Sequence, residues 1–294
     1  MELRELLVTC PDGRVLEVAT LGDPSGHTVV FHHGSPGSSL MLKAFEPLLE
    51  RENFFFVTSS RAGYGRSSRL EGRSVASVVG DVTTALDHLE RDTYAVVGWS
   101  GGGPHALACA AMDVPRCLSA VSIAGVVDVF VDFDWTAGMG PENVEEFELA
   151  KEGGPAYEAH IAEAGERFAG ANADNIIELF GGLLSDADKE VLANEKTRDE
   201  HAKAIAHGLS NGWRGFYDDD RAFLTPWGFD PTTISVPVAI WYGDQDLMVP
   251  PTHGEWLASH LPTATSLHLP NEGHISIFVR HLDELASTLA KAFE

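Results

Sequence analysis

The sequence predicts an α/β fold, a parallel β-sheet covered by helices on both faces and interrupted by a long helical insertion. Three observations carry that expectation. Short apolar runs such as Thr28–Phe31, Phe54–Val57 and Tyr94–Val97 show no polar alternation, as strands buried on both faces require. Helical stretches separate them, the clearest having Val75, Val78, Val79, Val82, Ala85, Leu86 and Leu89 at helical spacing. Between Asp128 and Asp230 the strand rhythm stops, and only helical segments follow.

The elements justify themselves in chain order. Leu6–Thr9 and Val15–Ala19 flank Pro11-Asp12-Gly13, a hairpin turn. Thr28–Phe31 ends in His32-His33-Gly34-Ser35-Pro36-Gly37, and Phe54–Val57 runs on to Arg61-Ala62-Gly63-Tyr64-Gly65. Tyr94–Val97 leads into Gly98-Trp99-Ser100-Gly101-Gly102-Gly103 and a helix through Ala111. Leu118–Ile123, Val236–Tyr242 and Thr265–Leu269 are further strands, and a closing helix is expected over Ser276–Phe293. Helical segments are expected around 142–151, 156–168, 175–180, 186–195 and 201–209. The expected division is a core domain of 1–127 with 231–294 and a helical cap domain of 128–230.

The 294 residues are 44% hydrophobic, enough for one sizeable core. Acidic residues outnumber basic ones 44 to 20, for a formal net charge of -24. Such a surface repels phosphate backbones and anionic bilayers, which argues against nucleic-acid and membrane roles. The insertion holds 23 of the acidic residues and 8 of the basic ones, a charge expected simply to solvate a small helical lobe. Three sparse cysteines, Cys10, Cys109 and Cys117, form neither a disulfide framework nor a metal motif. The opening MELRELLVTCPDG is not a secretory signal, and no apolar window is long enough to cross a membrane. A cytoplasmic location is the default expectation, and nothing in the sequence fixes an oligomeric state.

Gly98-x-Ser100-x-Gly102 matches the nucleophile-elbow pattern, and its context is right, with a buried strand before it and an Ala-rich helix after it. Ser100 is the expected nucleophile. A serine hydroxyl needs a base, and among thirteen histidines His274 is placed best, in the loop Pro270–His274 after the last strand. An orienting acid should follow another strand end, where Asp244 and Asp246 stand. Asp246 is preferred, because Asp244 directly after Gly243 suits turn capping. Gly101 offers a backbone N–H for a developing oxyanion. Ser35 is expected to offer the second, since Pro36 has none. His33 and Gly34 support that loop, His33 through side-chain hydrogen bonds.

On these motifs, His33–Gly37, Arg61–Ser67, Gly98–Gly102, Gly243–Asp246 and Gly273-His274, the chain resembles the α/β-hydrolase superfamily. The resemblance implies an eight-stranded, mostly parallel sheet with the cap inserted after the sixth strand, and Asp246 as the triad acid. Members often carry aspartate where this chain has Ser60. Epoxide hydrolases and haloalkane dehalogenases of the fold use aspartate where this chain has Ser100, so those chemistries are disfavoured. What remains resembles capped serine esterases and lactonases, proline iminopeptidase-like aminopeptidases and carbon–carbon bond hydrolases.

The expected reaction is hydrolysis of small or medium carboxylic esters through an acyl-enzyme, with no metal or organic cofactor and a small molecule as the only partner. Aminopeptidase action is the runner-up, with Glu145, Glu146 or Glu148 as candidates to bind an ammonium. Carbon–carbon bond hydrolysis and a non-catalytic small-molecule receptor on the same scaffold are the other readings. Trp99, Met139, Phe147, Phe180, Trp213, Phe216 and Tyr217 are the candidates to line the substrate pocket.

Overall fold

A computed structural model describes residues 2–294. Strands β1 (Arg4–Thr9) and β2 (Val15–Gly22) pair antiparallel from Arg4 opposite Thr20 to Thr9 opposite Val15. Gly13 closes their turn at φ +86°, a conformation that favours a residue without a Cβ. The remaining strands are β3 (His27–His32), β4 (Phe54–Ser59), β5 (Tyr94–Trp99), β6 (Cys117–Ile123), β7 (Val238–Gly243) and β8 (Ala264–Leu269). Among the described residues they form one eight-stranded sheet in the order β1-β2-β4-β3-β5-β6-β7-β8. β2 runs antiparallel to both neighbours, and every other pair is parallel. The strands fall within a few residues of their expected positions.

Alternate side chains of the central strands enter two cores, as the strand period demands. Val29, Phe31, Phe56 and Val97 meet Met41, Leu42, Phe45 and Leu48 of a 3₁₀ segment, Ser39–Glu50. The same core takes Phe278 from α10 (Ser276–Arg280) and Leu285 and Leu289 from α11 (Leu282–Ala290). On the opposite face Val30, Val96 and Ala120 meet α1 (Val78–His88), α2 (Gly103–Met112) and α9 (Pro251–His260). The single closing helix expected over 276–293 is in fact broken at His281, where ψ turns to 31°. Its imidazole there lies between Glu272 and Glu284.

Between β6 and β7 the chain is helical: α3 (Pro141–Glu152), α4 (Gly154–Ala169), α5 (Ile176–Phe180), α6 (Asp186–Leu192), α7 (Glu195–Gly208) and α8 (Arg214–Phe223). α8 falls outside every helical segment expected from the sequence. Its consecutive aspartates favour turns in isolation, but each is buried against a partner. Asp218 meets Arg69, Asp219 meets Arg61 and Arg73, and Asp220 accepts from Tyr157 Oη. The lobe's charge is therefore not all surface solvation, because Asp188, Asp218, Asp219 and Asp220 are structural.

α7 lies directly on the core. A Cβ on Gly208 would come within 2.1 Å of the Gly37 carbonyl, and Ser38 Oγ donates to Ala204 O at 2.7 Å. His207 Nε2 meets the buried Glu17 Oε1 at 2.7 Å, tying α7 to β2. Glu17 also accepts from Ser39 Oγ and Arg66 N, so it supplies a carboxylate beside Ser60. Among the described residues no helix is long and apolar enough to cross a membrane.

Candidate active site

The sheet order reverses where β3 lies between β4 and β5, and α/β folds place ligands beyond the carboxyl ends of strands at such a point. Ser100 directly follows β5 at φ +58°. Only glycines let this turn close. A Cβ on Gly98 would sit 2.1 Å from the Gly102 carbonyl, and one on Gly102 would sit 2.1 Å from the His32 carbonyl. The turn therefore raises the Ser100 hydroxyl above the sheet at the start of α2.

Asp246 and His274 arrive from the loops after β7 and β8. His274 Nδ1 donates to Asp246 Oδ2 at 2.8 Å, and both side chains are about 1% exposed. Asp246 Oδ1 accepts from the amides of Met248 and Val249 at 2.8 Å each, so both carboxylate oxygens are engaged. With Nδ1 committed to the carboxylate, Nε2 is the nitrogen left to act as a base. Trp99 Nε1 donates to the His274 carbonyl at 2.9 Å. Asp244, expected to cap its own turn, instead accepts from Asn271 N at 2.7 Å and so braces the loop that carries His274.

Ser100 and His274 line one small cavity of about 30 Å³, together with Gly34, Ser35 and Trp99. Among the described residues no hydrogen bond joins Ser100 Oγ to His274 Nε2. In ligand-free enzymes this contact is often long and tightens when substrate binds.

The loop after β3 reaches the same place. Ser35 and Gly101 stand side by side, since a Cβ on Gly101 would lie 2.5 Å from Ser35 Oγ. Arg61 N donates to His33 Nε2 at 3.1 Å, which makes Nε2 an acceptor and leaves Nδ1 to donate to Gly34 O at 2.7 Å. Burial pushes the His33 imidazole well below its usual pKa, with Arg61 adding to the effect, so it stays neutral. Arg61 is buried in turn, donating to the carbonyls of His33 and Gly34 and pairing with Asp219 Oδ2 at 2.6 Å. Arg61 belonged to a recognised motif. Asp219 carried no signal beyond its place in an acidic run.

A cleft of about 200 Å³ opens over Ser35, Ser100 and Gly101. Phe147, Phe180 and Phe216 line it as expected, joined by Phe168 and Phe223, which the sequence did not single out. Met139, Trp213 and Tyr217 do not. Met139 packs into the α1–α2–α9 core, Trp213 presses on Gly165 of α4, and Tyr217 stacks on Tyr157 at 5.0 Å. Each is taken up by packing between helices, where large side chains also dominate. Trp99 lines the small cavity beside His274 but not the larger cleft.

The cleft also holds Glu145, Glu146 and Asp220, while Glu148 is absent from its lining. Burial raises the carboxyl pKa of both Glu146 and Asp220, and their mutual repulsion raises Asp220 further. Such a pair tends to hold a shared proton. One trio among the described residues, Glu5, Glu17 and His207, has metal-ligating atoms within 4.8 Å of one another. It lies at the junction of β2 and α7, outside the cleft, and Glu17 there already pairs with His207.

A family model described as alpha/beta hydrolase fold matches residues 27–280. Epoxide hydrolase B of Mycobacterium tuberculosis is 33% identical over 138 residues, 46% of this chain and 36% of that protein. The chain thus spans well under half the length of the first curated relatives it matches. A probable proline iminopeptidase of Leptolyngbya boryana is 24% identical over 275 residues, 86% of this chain and 83% of that protein. Among solved structures, a thermophilic esterase from Thermogutta terrifontis superposes with a TM-score of 0.69 at 20% identity, covering 98% of this chain and 99% of that one.

Proposed function

The chain belongs to the alpha/beta hydrolase fold family, and from that premise we propose that it is a serine hydrolase of small or medium carboxylic esters. The observation that carries the reading is His274, bonded to Asp246, lining the same cavity as a half-buried Ser100 held at positive φ. In the proposed reaction Ser100 Oγ attacks the acyl carbon while His274 Nε2 takes its proton. Asp246 holds the imidazolium that results. The N–H groups of Ser35 and Gly101 receive the tetrahedral oxygen. His274 then returns the proton to the leaving alcohol, and water repeats the cycle on the acyl-enzyme. The helical insertion acts as a cap, and its phenylalanines accommodate an apolar acyl group of limited length. Aspartate-based opening of an epoxide does not suit this chain, because the elbow position carries Ser100.

The experiment is a series of p-nitrophenyl esters of increasing acyl length, run on wild type and Ser100→Ala. Turnover that peaks at short or medium chains and disappears in the variant is expected. Folded wild type inert across the series contradicts the reading.

One observation favours a second reading. Glu146 and Asp220 line the cleft, and neither forms an ion pair with lysine or arginine among the described residues. A substrate bearing an ammonium would find its countercharge there, which favours amino-acyl esters or amides. Binding of such a cation displaces the pair's shared proton, so it should strengthen as pH rises. Release of naphthylamine from alanyl or prolyl naphthylamide, lost in Glu146→Gln, distinguishes this reading from simple esters.

A further inference from the structure

We infer that Asp188 and Asp219, two buried carboxylates of the helical insertion, are positioning residues that hold the two loops reacting with substrate at Ser100. Asp188 holds the backbone at His274, and Asp219 holds the loop at Ser35. The inference rests on the serine-hydrolase reading, and it makes the insertion part of the catalytic frame as well as a cover.

Asp188, on α6, is fully buried. Its Oδ1 accepts from the amides of Ile275 at 2.7 Å and Ser276 at 2.9 Å, and its Oδ2 from the amide of His274 at 3.2 Å. Ser185 Oγ donates to the same Oδ2 at 2.8 Å. Among the described residues no lysine or arginine pairs with it, so three successive backbone donors of the His274 loop carry most of its compensation. The fit is close, since a Cβ on Gly273 would stand 2.4 Å from Asp188 Oδ2. A carboxylate here fixes the backbone of His274 in the loop between β8 and α10, and hence where its imidazole meets Asp246.

Asp219, on α8, is also fully buried. It pairs with Arg61 and Arg73 at 2.6 Å each and accepts from Tyr64 Oη at 2.9 Å. Its Oδ2 also accepts from Ser35 Oγ, and Arg61 Nη2 donates to that hydroxyl at 2.9 Å. Arg61 grips the carbonyls of His33 and Gly34 as well. The loop is therefore clamped on its carbonyl side and at the Ser35 side chain. That fixes the direction of the Ser35 amide beside Gly101. Neither carboxylate needs to touch substrate, so both act through the groups they hold.

The test uses the full chain as wild type, Asp188→Asn, Asp219→Asn and Ser35→Ala. Two readouts are taken: phosphonylation by a fluorophosphonate, resolved into maximal rate and half-saturating concentration, and amide hydrogen exchange by mass spectrometry. Should Asp219→Asn fail to fold, Ser35→Ala removes the hydroxyl's bonds to Asp219 and Arg61 and keeps the Ser35 amide. Asp188→Asn is expected to lower the maximal rate tenfold or more with half-saturation within twofold, and to speed exchange across 273–277. Ser35→Ala and Asp219→Asn are expected to lower the maximal rate several-fold and to speed exchange across 33–37. Folded variants whose maximal rates stay within twofold of wild type overturn the inference, as does a loss confined to half-saturation. Wild type that never labels overturns the serine-hydrolase reading and this inference with it, whereas wild type that labels no faster than the variants overturns this inference alone.

Discussion

Ser100 occupies φ +58°, a conformation that costs a side chain about 1–3 kcal/mol and persists only where its surroundings enforce it. Gly98 and Gly102 enforce it here, and their pattern was plain in the sequence because the steric demand leaves glycine as the fitting choice. Asp246 and His274 were legible for a related reason, since each stands in a short loop at the end of a strand. Asp188 and Asp219 were not legible. Nothing distinguishes a buried aspartate from a solvated one until the donors around it are in place, and those donors come from residues 86 and 158 positions away. At this scale the account predicts that Asp246→Asn leaves the fold intact and lowers kcat by roughly 10³–10⁴. An amide there cannot hold both the Met248 and Val249 amides and the Nδ1–H of His274 as the carboxylate does. Steady-state kinetics on a single good ester checks it, and a loss under tenfold would count against the assigned role.

Strands were the most readable elements because β4 and β5 are buried along their whole length and open on unbroken apolar runs, Phe54–Val57 and Tyr94–Val97. The helices of the insertion were readable in outline, but α8 was hidden. Its sequence Arg214–Phe223 carries three aspartates whose helical placement depends on Arg61, Arg69, Arg73 and Tyr157 from elsewhere in the chain. The clustering of Asp219 with two arginines also makes that helix costly to disturb, because removing one partner of a buried pair typically costs about 3–5 kcal/mol. Helix packing separates the aromatic residues into two groups with different expected effects. Phe180→Ala, in the cleft wall on α5, should move the preferred acyl chain toward longer esters. Trp213→Ala, wedged on Gly165 away from the cleft, should cost roughly 2–4 kcal/mol of stability and leave the chain-length profile unchanged. Chain-length profiles and thermal melts of the two variants check the pair of outcomes, and a profile shifted by Trp213→Ala would contradict it.

Across the whole molecule, protons link the fold to pH with opposing signs. His32, His33, His105, His201 and His253 are buried, and burial lowers the imidazole pKa of each, to about 3 for His32 and about 4 for His201 and His253. The unfolded chain protonates these groups near 6.5 while the native chain stays neutral. The unfolded state therefore gains on acidification, by up to about 1.4 kcal/mol per pH unit for each imidazole. Glu146 and Asp220 act the other way. Burial raises them, so the native state holds protons that the unfolded state has released, and their contribution fades as pH rises. His207, raised by Glu17, also favours the native state below its folded pKa and loses that contribution above it. Five imidazoles outweigh these three groups below pH 6.5, so Tm should fall steadily from pH 6.5 to pH 5. Calorimetry or fluorescence melts across that range check the sign, and a flat or rising Tm on acidification would contradict it.

The central claim is that the reacting oxygen is that of Ser100. Intact-protein and peptide mass spectrometry after fluorophosphonate treatment tests it most directly, since the serine oxygen bonds to phosphorus as fluoride leaves and the adduct stays on its residue. The account predicts one adduct per chain, on the peptide carrying Ser100, and none on Ser100→Ala. An adduct on another residue, or none on folded wild type, would contradict it.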